Sequence, residues 1–98
     1  MTDLEITKLC AEAMGYRLNI VGDYCYLPSD REWNPLHDDA QAMAMVKRFR
    51  LDVSGVYAKW QACKVRGDFS GTLAEAMADD LNRAICECVA RMQQAKAG

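Results

Sequence analysis

The chain has 98 residues, of which 51% are hydrophobic and 27% charged, and its formal net charge is −2. This length suits one domain with a modest core, and the composition excludes an intrinsically disordered chain. We therefore expect a single domain over residues 1–98, with a frayed tail at about 95–98.

The spacing of the cysteines and the length of the apolar runs indicate the cellular compartment in which the protein is expected. The five cysteines form no pair with C-x-x-C spacing, and Cys86 and Cys88 would point to nearly opposite sides of a helix. No apolar run approaches the roughly 20 residues that span a bilayer, and the charged first segment is not typical of a signal peptide. We expect a reduced, cytoplasmic protein that needs no metal or other cofactor.

The first predicted element is an amphipathic helix between Thr2 and Gly15. Thr2 and Glu5 form a capping-box pattern, Gly15 is a good C-cap, and apolar residues repeat between them at helical spacing. Residues 16–27 then favour β-structure, with a turn signal at Gly22-Asp23. Two interpretations stay open here, a hairpin of 17–21 with 24–27 or a single short strand.

A second helix is predicted from Trp33 to Arg50. Asn34 suits the N-cap and Pro35 the first helical position. The charged residues complement the helix dipole, with His37, Asp38 and Asp39 in the first turn and Lys47, Arg48 and Arg50 in the last. His37-Asp38-Asp39 resembles a metal or ligand site, but consecutive helical residues point in different directions. We interpret these three residues as partners of free backbone amides.

The second half of the chain predicts strands and a long helix. Residues 51–53 are extended, a turn is expected at Ser54-Gly55, and a strand from Val56 alternates strictly, antiparallel to 51–53 or to 24–27. Residues 66–71 read as a loop. A capping-box pattern at Thr72 and Glu75 then predicts a final helix of about 22 residues. The order α–β–α–β–β–α indicates an α+β fold, a small, mainly antiparallel sheet with helices on both faces.

No catalytic constellation is evident. Cys25 has tyrosines on both sides and no obvious cation to activate its thiol, and a pairing with His37 is disfavoured. Gly67 and Gly71 are not followed by the Lys-Ser/Thr of a phosphate-binding loop. The sequence therefore predicts a protein that is not an enzyme.

Charge is distributed unevenly. Residues 1–46 carry a net −5, residues 47–66 a net +5 and residues 67–98 a net −2. The basic segment, with aromatic residues at 57 and 60, has the chemistry to bind phosphates and bases through Lys47, Arg48, Arg50, Lys59, Lys64 and Arg66. An isoelectric point near 5.3 counts against this, so nucleic-acid binding is the alternative hypothesis.

Three segments resemble a family. Residues 33–40 (WNPLHDDA) with 43–47 (MAMVK), the C-terminal 80–92 and the opening 9–16 resemble small uncharacterised phage and prophage proteins of the phage ABA sandwich domain type. The resemblance implies helices on both faces of a small sheet and a phage or prophage context. It implies no catalytic residue and no cofactor.

The leading functional hypothesis is a non-enzymatic accessory protein that binds an unidentified host or phage protein in the bacterial cytoplasm. Aromatic residues anchor interfaces, so Tyr24, Tyr26 and Trp33 are the expected contacts. In the alternative interpretation, Trp33 packs onto the second helix as a hydrophobic staple. No membrane association is expected, and the chain is predicted to be a monomer or a homodimer.

Overall fold

A computed structural model describes residues 1–65 and 71–97. Its elements are, in chain order, α1 (Asp3–Met14), β1 (Asn19–Val21), β2 (Tyr24–Tyr26), α2 (Asp39–Phe49), β3 (Asp52–Val56), β4 (Lys59–Val65), β5 (Thr72–Ala78) and α3 (Leu81–Ala97). The α+β class is confirmed, and the order is α–β–β–α–β–β–β–α. Both sheets are antiparallel, a β1–β2 hairpin and a three-stranded sheet in the order β3–β4–β5. The predicted 66–71 loop lies, except for Gly71, outside the described residues.

The first helix and the hairpin follow their local signals. The Thr2 hydroxyl accepts the Glu5 N–H at 3.1 Å, and Gly15 ends α1 with a φ of 79°, a conformation that glycine adopts without steric cost. Of the two interpretations of residues 16–27, the hairpin is confirmed, with Ile20 opposite Cys25 and Gly22 in the turn at a φ of 62°.

The predicted start of the second helix is wrong by several residues. Asp38, not Asn34, is the N-cap, and its carboxylate accepts the Gln41 N–H at 2.9 Å. The backbone N–H of Asn34 instead donates to the Gln41 side chain, and Asn34 and His37 close a separate turn. Pro35 and Leu36 are buried in this turn, so the chain enters the core before the helix begins. At the other end, Arg50 adopts a φ of 54° and caps α2.

The predicted turn at Ser54-Gly55 is also misplaced. Val56 pairs with Lys59, so the turn consists of Tyr57 and Ala58, and β4 pairs with β3 rather than with the first hairpin. Gly55 lies opposite Trp60, and a Cβ atom added to Gly55 would lie 4.0 Å from the Trp60 ring. An aromatic residue opposite glycine stabilises a strand pair, so Gly55 continues β3.

Residues 72–78 form a strand, not the first turns of the last helix. Ala76 and Ala78 are buried while Leu73 and Met77 are about half exposed, which is the alternation of a strand. Ala74, Met77 and Ala78 also fit a helical period and alanine has high helix propensity, but pairing with β4 overrides that propensity. The last helix begins after Asp80, whose carboxylate accepts the Arg83 N–H at 3.0 Å.

The third helix is the centre of the fold. It packs on β4 and β5 on one side and on α1 on the other. Cys88 donates to the Ala74 carbonyl of the sheet at 3.7 Å, whereas Cys86 lies against Cys10 of α1, so the two cysteines do point to opposite sides as predicted. The described helices thus lie on one face of the β3–β4–β5 sheet. On the other face of this sheet, Leu73 and Met77 are about half exposed. The predicted second helical layer is therefore not found within residues 1–65 and 71–97.

The backbone of Tyr57 adopts a conformation that is strained for a residue with a side chain, and a substitution can relieve this strain. Tyr57 has a φ of 57°, a region that suits glycine, and its side chain is fully exposed and makes no packing contact that would be lost. We expect Tyr57→Gly to raise the melting temperature by roughly 2–6 °C. Ala58→Gly is the matched control, since Ala58 is not among the positive-φ residues, and it should leave stability unchanged or lower it. A lower melting temperature for Tyr57→Gly in thermal unfolding would show that its backbone is not strained.

Candidate interaction cleft

A cleft of ≈ 430 Å³ lies where three segments meet. The start of α1 forms one wall, the turn and second strand of the β1–β2 hairpin form another, and the segment between β2 and α2 forms the floor. Its lining residues are Thr2, Asp3, Leu4 and Thr7 from the first segment, Asp23, Tyr24 and Cys25 from the second, and Glu32, Trp33, Asn34, Leu36 and His37 from the third. The backbone N–H of Trp33 donates to the Cys25 carbonyl at 2.8 Å, which holds the third segment beside the second.

Trp33 is part of the floor and not an exposed contact. Only 3% of its surface is accessible, its indole N–H donates to the Thr7 carbonyl at 3.4 Å, and the ring of Tyr16 meets it edge-on at 5.1 Å. The expectation of an exposed Trp33 is therefore wrong. The ring joins α1 to the segment before α2, because an indole in the core must both pack and satisfy its N–H.

The two predicted tyrosines have different places. Tyr24 is 60% exposed and lines the cleft, so its ring is available at the rim. Tyr26 is half-buried in β2, where it pairs with Glu32 in an isolated antiparallel bridge. Tyr24 alone of the predicted aromatic contacts therefore combines exposure with a place in the cleft.

Acidic side chains dominate the charge of the cleft. Asp3 pairs with Arg83 at 2.8 Å, and this hydrogen bond raises the pKa of the Arg83 guanidinium. Within residues 1–65 and 71–97, Asp23 and Glu32 have no ion-pair partner within 4.0 Å. The cleft therefore offers carboxylates to a ligand that carries positive charge.

A smaller cavity of ≈ 220 Å³ adjoins the cleft. It shares Asp3, Leu36 and His37 with the cleft and adds Asp80, which precedes the third helix, and Arg83 of that helix. His37 therefore belongs to an exposed turn between two cavities, outside the helix in which it was predicted. Asp38 does cap α2 as interpreted, and Asp39 accepts a hydrogen bond from Asn82 at 2.7 Å, which ties α2 to α3.

The one thiol of the cleft is not an activated nucleophile. Burial raises the pKa of Cys25, and nearby Glu32 raises it further against the opposing effect of Lys8. A thiol whose pKa is raised stays protonated at neutral pH and reacts slowly. In the part of the chain that the structure describes, no three His, Cys, Asp or Glu side chains are grouped so that they could hold a metal ion.

The predicted cations only partly converge. Lys47 and Arg48 lie in the last turn of α2, Arg50 caps it, and the Lys64 ammonium donates to the Phe49 carbonyl at 2.8 Å. Lys59 lies at the opposite end of β4, where it pairs with Asp79 at 3.7 Å. Arg66 is outside the described residues. Four cations thus surround one helix terminus, where cations also stabilise the dipole.

Gln41 is the structural determinant of the cleft that the sequence analysis missed. Its buried side chain accepts the Asn34 N–H at 2.7 Å and donates to the Glu32 carbonyl at 2.8 Å, which fixes the floor against α2. The signal was an uncharged polar residue between Ala40 and Ala42 in an otherwise apolar run. Such a residue on a buried face needs hydrogen-bond partners.

No protein-family model matches this chain, and no curated protein or solved structure is significantly similar to it. Among the helices of the described residues, none is long and apolar enough to cross a membrane.

Proposed function

We propose that this protein is a non-enzymatic accessory module that binds a partner protein through the cleft, by accepting a basic segment of that partner. The observation that carries the proposal is the cleft itself, which exposed Tyr24 lines together with the acidic residues Asp23 and Glu32. Aromatic side chains anchor protein contacts, and charged groups around them favour a partner of opposite charge. The resemblance to phage ABA sandwich proteins supports a phage or prophage origin and action inside the bacterial host.

Size and polarity support a protein segment as the ligand. A cavity of ≈ 430 Å³ has the volume of a small-ligand pocket, but about half of the lining of this one is polar or charged, whereas small-ligand pockets are mainly apolar. The adjoining ≈ 220 Å³ cavity extends it toward the start of α3. Two neighbouring cavities suit two side chains of one extended segment, with a lysine or arginine placed at Asp23 and Glu32.

Affinity capture from host-cell lysate tests this proposal. We expect the wild-type protein to retain a specific protein, and the double variant Asp23→Asn with Glu32→Gln to retain at least about tenfold less, since paired interface charges contribute a few kcal/mol together. The matched control is Asp30→Asn with Glu12→Gln, which removes the same charge from exposed residues outside the cleft. Equal capture by the cleft variant and the control, or capture of no protein by the wild type, would refute the proposal.

The second candidate is nucleic-acid binding. It is supported by the four cations at the end of α2, namely Lys47, Arg48, Arg50 and Lys64. A basic cluster of this kind binds phosphates with an affinity that falls steeply with salt. A gel shift that persists in the cleft variant and disappears on charge reversal of Arg48 and Arg50 would favour this candidate over the cleft.

A further inference from the structure

The contact between α1 and α3 contains two buried cysteines, one from each helix. Cys10 and Cys86 are each 0% exposed, and both are free cysteines. The Cys10 thiol donates to the backbone carbonyl of Cys86 at 3.3 Å, although the residues are 76 positions apart in the chain. The proximity of Cys10, together with burial, raises the pKa of the Cys86 thiol.

The geometry of the other cysteines separates this pair from them. Cys88 lies on the opposite side of α3, where its thiol donates to Ala74 of the sheet. Cys25 belongs to the β1–β2 hairpin, and Cys63 is half-buried on β4, opposite Asp52 of β3 and Glu75 of β5. A disulfide requires two cysteines on adjacent backbones. Of the five cysteines, Cys10 and Cys86 are the two that a hydrogen bond brings together, from the Cys10 thiol to the Cys86 backbone carbonyl.

We propose that Cys10 and Cys86 are a thiol-modification site, at which exchange with a low-molecular-weight disulfide such as glutathione disulfide joins α1 to α3. One thiolate attacks glutathione disulfide, forms a mixed disulfide and releases one glutathione thiolate. The second protein thiolate then attacks the protein sulfur of the mixed disulfide and releases the second glutathione. The protein loses two electrons and two protons, the electrons reduce glutathione disulfide, and one sulfur–sulfur bond has formed in the protein.

Burial of both sulfurs determines how the exchange proceeds. A buried, protonated thiol reacts slowly, so the reaction requires α1 to separate briefly from α3. The bond would then fix the position of α1, whose first residues form one wall of the cleft and whose Asp3 already binds Arg83 of α3. Oxidation would therefore hold that wall in place.

The test counts thiols and maps the bond. The purified protein is incubated with glutathione disulfide in urea below its unfolding transition, returned to buffer, and alkylated with N-ethylmaleimide after full unfolding. We expect the alkylated thiols to fall from five to three, with the peptides of Cys10 and Cys86 cross-linked in the mass spectrum and the melting temperature raised by roughly 10 °C or more. The control Cys63→Ser should form the same bond, and Cys10→Ala should form none.

The wild-type peptide map decides the outcome even if Cys10→Ala does not fold. Five alkylated thiols after treatment, a bond that maps to any other pair, or a lower melting temperature of the cross-linked protein would each overturn the proposal.

Discussion

Replacing Trp33 with alanine is expected to lower the free energy of unfolding by about 3–5 kcal/mol. The ring is 3% exposed, packs edge-on against Tyr16, and donates its N–H to the Thr7 carbonyl of α1. Truncation would remove these contacts together with the hydrogen bond to α1, and it would leave a cavity. Urea unfolding followed by circular dichroism measures the loss.

Two variants separate packing from other effects at this position. Trp33→Phe keeps most of the ring volume and loses the hydrogen bond, so it should cost about 1–2 kcal/mol. Tyr24→Ala removes an aromatic ring from the same cleft but from its exposed rim, and it should change stability by less than about 0.5 kcal/mol. A loss below about 1 kcal/mol for Trp33→Ala would mean that the indole is not the packed joint between α1 and the cleft floor.

Gln41→Ala is expected to cost about 2–4 kcal/mol, although it removes only a small polar side chain. The Gln41 amide satisfies the Asn34 N–H and the Glu32 carbonyl, both part of the cleft floor. Both hydrogen bonds are part-buried, so each lost partner costs toward the lower end of the about 1–3 kcal/mol of a fully buried group. Guanidinium unfolding of the variant beside the wild type measures this cost.

A second variant, with a glutamate at position 41, tests the same two hydrogen bonds through its charge. Gln41→Glu keeps the acceptor for Asn34 but replaces the donor to the Glu32 carbonyl with a carboxylate oxygen, so it should be destabilising at neutral pH and less so in acid, when the carboxyl can donate. Met43→Ala, on the exposed side of α2, is the control and should have a small effect. If Gln41→Ala is as mild as Met43→Ala, these hydrogen bonds do not hold the floor in place.

The parts of the fold that were predicted correctly are those that local chemistry determines. The hydroxyl cap at Thr2 and the left-handed Gly15 act within one turn of their own helix, so α1 could be located from its sequence. The parts that were wrong depend on distant partners. Thr72–Ala78 fits both a strand and a helix, and only β4, which comes earlier in the chain, determines the choice. The start of α2 likewise depends on Gln41 holding Asn34 outside the helix.

The cleft could be predicted only in part for the same reason. Tyr24 was correctly assigned to the surface because it follows the hairpin turn, and it lines the cleft, while its contact role stays a prediction. For Trp33 the sequence left an interface contact and a staple on the second helix open, because sequence alone does not show that its ring reaches Thr7, 26 positions earlier. Lys59 does not lie with the cations at the end of α2, since the length of β4 separates it from Lys64.

The most direct test of the central claim uses Trp33 as a reporter inside the cleft. The chain has two tryptophans, so Trp60→Phe leaves Trp33 as the only one. Titrating this protein with a capped tri-lysine peptide at low salt should change the Trp33 fluorescence in a saturable manner. The response should disappear when Asp23→Asn and Glu32→Gln are added, and persist when Asp30→Asn and Glu12→Gln are added instead. An unchanged Trp33 spectrum at millimolar peptide, or an equal response of both charge variants, would contradict a cleft that accepts basic segments.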